Sequence, residues 1–149
     1  MARKTSYLQP VSMGNIDGTD SKNCTSQALS NCLDMPIWEA RNLLAKNGRK
    51  MHEGCDINVY EKAYEEAGLS FVGFFGNTYT SKCEQYWSVL HRNTLPLKGM
   101  TLETFCKVYN RGSYVVCVKG HAVCVKGGKL VDVDLNLGNK SVLSAWKKR

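Results

Sequence analysis

The segment from 113 to 134, SYVVCVKGHAVCVKGGKLVDVD, constrains this chain more than any other. Gly127-Gly128 separates two stretches that read as strands, HAVCVK and KLVDVD, and a pair of glycines between such stretches is a strong signal for a two-residue hairpin. Ser113 to Lys119 is β-branched and aromatic and predicts one more strand, interrupted at Gly120. If Gly127 and Gly128 are the turn residues, Lys126 faces Lys129, Val125 faces Leu130, Val123 faces Asp132 and His121 faces Asp134. Side chains alternate along a strand, so His121, Val123, Val125, Leu130, Asp132 and Asp134 are expected on one face of the sheet. A histidine and two carboxylates then point to the same side.

The sequence upstream is mostly helical in pattern. In CTSQALSNCLD, residues 24–34, Cys24, Ala28 and Cys32 form a stripe flanked by Leu29 and Leu33. Ser21 and Asn23 stand just before it as N-cap candidates, which puts Cys24 in the first turn. Residues 36–47 predict a second helix, with Pro36 at its first position and Gly48 as its stop. Residues 56–67 predict a third, capped by Asp56, with Ile57, Tyr60, Tyr64 and Ala67 inward and Gly68 at its end. Leu69 to Phe75 reads as a strand, 81–91 as a helix, and Thr101 to Tyr109 as a short capped helix. Residues 139–146 predict a last strand or a short helix ending at Trp146. Helices first and an antiparallel sheet afterwards is α+β order. Residues 1–20 read as a polar arm, and 21–149 as one domain, a size that 149 residues with 43% hydrophobic content can fill.

Several function classes recede on composition. The N-terminal stretch MARKTSYLQPVSMG has no apolar core of a secretory signal, and no apolar run is long enough for a membrane span. A soluble, cytoplasmic protein is expected. Seven cysteines without a CxxC pair, in a reducing compartment, predict free thiols. Cys117, His121 and Cys124 are the only close Cys/His group and make a weak zinc set, so no metal is expected. A formal charge of +7 raises the question of a nucleic-acid partner, but the lysines and arginines are scattered apart from Lys147, Lys148 and Arg149.

Cys24 and His121 carry the chemistry. A cysteine attacks as thiolate, and both a helix N-terminus and a neighbouring imidazolium favour that form. Cys24 has the first by its place in the chain. His52 lies in a Lys/Glu/Gly-rich loop and His91 near a helix end, which leaves His121 as the histidine on rigid extended structure. A carboxylate beside His121 would hold the ring in its working tautomer. Early helix N–H groups could receive an oxyanion. Read singly, a cysteine at a helix start is an ordinary core residue, and the hairpin acids are surface charges. Together they suggest a triad.

Two stretches also resemble a known family. NCTSQALSNCLDMPIWEARNLLAKNGRK is similar to the DCxxRAL…YxxAxxxLxxxGR opening of a group of small papain-like proteins widespread in bacteriophages. TLETFCKVYNRGSYVVCVKGHAVCVKGGKLVDVD is similar to their TLxxFxxxxxxGxYxVxxxGHAxAVxDGxxxDT segment. The resemblance runs from about 20 to 135. It implies a papain-like fold, Cys24 and His121 as the dyad, and Asp132 as the third member. Strand pairing puts Asp134 opposite His121 instead. A wider turn would shift that register, and the resemblance does not depend on turn type, so Asp132 is preferred and Asp134 held in reserve. Asn23, Gln27 and Gly127-Gly128 depart from the family pattern, and no glutamine precedes Cys24 nearby as one does in papain. Asn23, Ser21 or backbone N–H groups are the oxyanion candidates.

The expectation is a cysteine peptidase or amidohydrolase. It needs no cofactor, acts on a protein or peptide that could be a host protein, and works in the cytoplasm of a phage-infected bacterium. Acyl transfer by the same dyad is a variant of this reading. Two rivals differ in class: an inactive papain-like module that binds and inhibits a host protein, and a basic nucleic-acid-binding protein.

Overall fold

In the computed structural model, residues 8–10, 24–49, 57–76, 97–132 and 136–149 are described. In chain order they form β1 (Leu8–Pro10), α1 (Cys24–Leu33), α2 (Ile37–Lys46), α3 (Ile57–Ala67), β2 (Leu69–Phe74), α4 (Leu102–Val108), β3 (Ser113–Val118), β4 (His121–Lys126), β5 (Lys129–Asp132) and β6 (Val142–Lys148). The predicted helix at 81–91, the Asp56 cap, and Ser21 and Asn23 as caps lie outside the described residues. Pro36 is the N-cap of α2 rather than its first helical residue, and Gly48, with φ of 113°, stops that helix. The last predicted element is a strand, and it runs past Trp146.

The sheet has the order β1-β5-β4-β3-β6-β2. Five of these strands pair antiparallel, and β1 adds parallel to β5, with Pro10 opposite Asp132. The β4–β5 hairpin has the register read from its sequence, with Lys126 opposite Lys129 and Val125 opposite Leu130. Gly127 and Gly128 both have positive φ, 57° and 76°, as the two-residue turn that matches strand twist demands. The wider turn that would shift the register is therefore absent, and the preference for Asp132 over Asp134 rests on the resemblance alone.

Both faces of the sheet are covered. Val115, Cys117, Ala122, Cys124, Val131 and Trp146 pack with α1, α2 and α3. Tyr114, Val116, Val123, Val125, Leu130 and Ala145 pack with α4 and Phe75. This corrects the reading of the hairpin. The face that carries Val123 and Val125 belongs to α4, whereas the helix that bears Cys24 lies on the opposite face. Alternation tells which residues share a face, not which helix covers it.

Helix α1 is buried along almost its whole circumference, polar residues included. Thr25, Ser26, Gln27, Ser30 and Asn31 are buried with Ala28, Leu29 and Cys32. It lies between the sheet and α2. The C-terminal turn is closed by Asp34 in the left-handed region (φ 56°), and the Ser30 hydroxyl donates to the Met35 carbonyl at 2.6 Å.

The turn at Gly127-Gly128 touches α4, and the two glycines should respond differently to a methyl group. A Cβ on Gly128 would meet the Cys106 carbonyl oxygen at 2.8 Å, while one on Gly127 would meet nothing within 4 Å. Gly127→Ala should lose about 1 kcal/mol, the cost of a left-handed alanine. Gly128→Ala should lose at least about 2 kcal/mol, because backbone must also move. Urea unfolding of the two variants measures this, and equal losses would contradict the packing of the turn on α4.

Candidate active site

Cys24 is the first residue of α1 and His121 the first of β4. Both are half-buried. The structure brings them together: the Cys24 sulfur is hydrogen-bonded to the His121 side chain and to the backbone N–H groups of Ala122 and Thr25. Local structure accounts for each part. The Lys119–Gly120 turn, with Gly120 at φ 73°, reverses the chain so that β4 begins at His121 beside the end of β3. There the imidazole reaches the sulfur from the strand's end. Ala122 opens the row that faces α1, and its N–H follows directly behind the ring.

These contacts set the charge state. Burial pushes the Cys24 thiol up, but the hydrogen bond and positive charge of His121 together with the N–H groups of Ala122 and Thr25 outweigh it. The net result is a thiol held below its ordinary value. Two other thiols go the opposite way. Cys124 is raised well above the ordinary value by its hydrogen bond to Cys32 and then by burial. Cys106 is pushed up to about 11 by burial and by the nearby Glu103 carboxylate. Cys24 is therefore set apart from these two by what surrounds its sulfur.

Of the other residues proposed from sequence, Asp132 ends β5, next to the strand that carries His121. Its side chain, and the whole of Asp134, Asn23 and Ser21, lie outside the described residues. First-turn N–H groups are expected as donors to an oxyanion; that the Thr25 N–H supports the sulfur, and that the Ala122 N–H joins it, was missed. Both are backbone groups, so residue type could not flag them; the one available signal was that each follows a residue already singled out. Also missed was Tyr64 of α3, whose hydroxyl donates to the Thr25 carbonyl at 3.1 Å. Among the described residues no group of three His, Cys, Asp or Glu side chains is placed to hold a metal ion, and no helix is long and apolar enough to cross a membrane.

No protein-family model, curated protein or solved structure matches the chain. The reading of this site therefore rests on its own geometry and on the motifs quoted above.

The depressed thiol makes a specific prediction. A cysteine held below its ordinary value keeps its thiolate to a lower pH than a free thiol does, and loses reactivity as pH falls through the lowered value. Cys24 should therefore be alkylated by iodoacetamide with a midpoint below the ordinary thiol value of about 8.5. Cys32, Cys106, Cys117 and Cys124 are buried and should label only on unfolding. Rates across pH, assigned by mass spectrometry, check this. A Cys24 midpoint at or above the ordinary value would remove the ion pair.

Proposed function

We propose that this chain is a papain-like cysteine hydrolase, a peptidase or amidohydrolase working through an acyl-enzyme. The observation that carries the reading is the meeting of Cys24 and His121, with the Cys24 thiol lowered against its own burial. Burial alone makes a thiol inert; a positively charged partner and two N–H donors on one sulfur are what a nucleophile requires.

The steps follow from that pair. The Cys24 thiolate attacks the carbonyl carbon of the substrate, and negative charge develops on the carbonyl oxygen. Backbone N–H groups in the first turn of α1 have no intrahelical acceptors and are the donors nearest to that charge. His121, as imidazolium, gives its proton to the leaving amine as the C–N bond breaks. A thioester on Cys24 remains. Neutral His121 then takes a proton from water, whose oxygen attacks the thioester and releases the acid. Cys24 departs as thiolate and His121 is again imidazolium. Asp132 is assigned to orient His121, with Asp134 as the alternative; the resemblance supports this. These steps need no metal or cofactor. The substrate is a protein or peptide amide, a host protein being one candidate, and the setting suggested by the resemblance is the cytoplasm of a phage-infected bacterium.

Cys24→Ala should abolish turnover of any amide substrate found by screening, while thermal unfolding stays within a few degrees of the wild type. His121→Ala should keep the thiol but raise its alkylation midpoint to the ordinary value of about 8.5 or above, because burial then acts with less to oppose it, and labelling at pH 6 should slow several-fold. Full activity in Cys24→Ala would end the hydrolase reading.

A further inference from the structure

Tyr64 reaches from α3 to the first turn of α1 and donates its hydroxyl to the Thr25 carbonyl at 3.1 Å. The tyrosine is wholly buried, and Thr25 is 5% exposed. A buried hydrogen bond between two helices is ordinarily a packing device. Two features set this one apart. It ends on the residue next to Cys24, whose own N–H supports the sulfur. The buried hydroxyls of Thr25 and Ser26 make no hydrogen bond, so this turn is not held by its own side chains.

The chemistry of the peptide unit gives the contact a second consequence. The Thr25 carbonyl and the Ser26 N–H belong to one amide. A donor on the carbonyl polarises that amide and makes its N–H more positive, as in any chain of hydrogen bonds. Ser26 lies in the first turn, where N–H groups have no intrahelical partner and carry the positive end of the helix dipole. The Cys24 sulfur sits beside that end. The hydroxyl is also well anchored. The Tyr64 ring lies edge-on to Trp146 at 5.5 Å and 5.4 Å from Tyr60. Trp146 belongs to β6 and pairs with Val115 of β3, so the hydroxyl is placed relative to the same sheet that carries His121.

We propose that Tyr64 is a positioning residue, which through the Thr25 carbonyl fixes and polarises the first turn of α1 and so holds the Cys24 sulfur ionised opposite His121. This role rests on the cysteine-hydrolase reading. It differs from a packing role in what it moves. Loss of packing lowers stability, whereas loss of polarisation shifts the pH at which Cys24 becomes reactive.

The test compares wild type, Tyr64→Phe and Val116→Ala. The phenylalanine keeps the ring and removes only the hydroxyl. Val116 is buried on the α4 face of the sheet, away from α1, and its truncation serves as a control for stability loss alone. Each protein is alkylated with iodoacetamide from pH 5 to 9.5, Cys24 labelling is followed by mass spectrometry, and thermal unfolding is recorded alongside. In Tyr64→Phe the Cys24 midpoint should rise by about half a unit to one unit, so that labelling at pH 6 slows roughly three- to tenfold. Val116→Ala should melt lower with its midpoint unchanged. A Tyr64→Phe midpoint equal to wild type, or a Val116→Ala midpoint shifted as far, overturns the proposal. A low wild-type midpoint that Tyr64→Phe leaves in place removes only the role of Tyr64. An ordinary wild-type midpoint removes the hydrolase reading and the role of Tyr64 together.

Discussion

The arrangement depends on α1 lying lengthwise along β4. Three cross-contacts mark its course. Cys24 meets His121 and Ala122 at one end, Cys32 meets Cys124 further along, and Asp34 pairs with Lys126 at 2.5 Å at the other end. The helix and the strand run in the same direction. From 24 to 34 an α-helix rises about 15 Å, and from 121 to 126 a strand rises about 17 Å. The two rises nearly agree, so the contacts stay in step from end to end. Slipping α1 by one turn, about 5 Å, would break all three contacts and separate the sulfur from the imidazole.

That docking explains why so polar a helix can be buried. An amphipathic helix turns one stripe to a core and the rest to water. α1 has the sheet on one side and α2 on another, and its threonine, serines, glutamine and asparagine are inside. Some of this is compensated, as where Ser30 closes the C-terminal turn on Met35. Some is not. The hydroxyls of Thr25 and Ser26 are buried without partners, each at a cost of about 1–3 kcal/mol. They flank the N-terminal turn, next to the sulfur. Two further buried polar atoms without partners, Arg49 Nε and Trp146 Nε1, lie elsewhere, so this cost is not confined to the turn beside the sulfur.

Much of this could be read from the chain alone, and the limits are instructive. Gly127-Gly128 determined the turn, its length and the strand register, because a two-residue hairpin leaves little else possible. Cys24 and His121 could be paired because three histidines left few choices, and because both residues open an element. The covering of the sheet could not be read. The period-two pattern sorts β4 into two rows but is silent on which helix packs on either, and here both rows are buried, one by α4 and one by α1. His121 escapes the sorting altogether by sitting at the strand's end. Tyr64 could be read as a buried position on the inner stripe of α3. Its hydroxyl bond could not, because the acceptor is a backbone carbonyl 39 positions away.

The same helix and strand also show where thiol reactivity comes from. Cys24 and Cys32 lie on one stripe of α1, and each meets β4. At the N-terminal end the sulfur faces free N–H groups, the start of a strand and an imidazole, and its thiol is lowered although burial opposes this. Eight residues on, Cys32 and Cys124 share a hydrogen bond deep in the same interface, and there the Cys124 thiol is raised. Residue type does not distinguish the two places, and burial opposes ionisation in both, although Cys24 is half-buried and Cys32 and Cys124 are fully buried. What differs is the end of the helix, since donors without partners occur in its first turn and not in its last. The lowered thiol stands at the start of α1, and the strand that brings it an imidazole begins where that helix does.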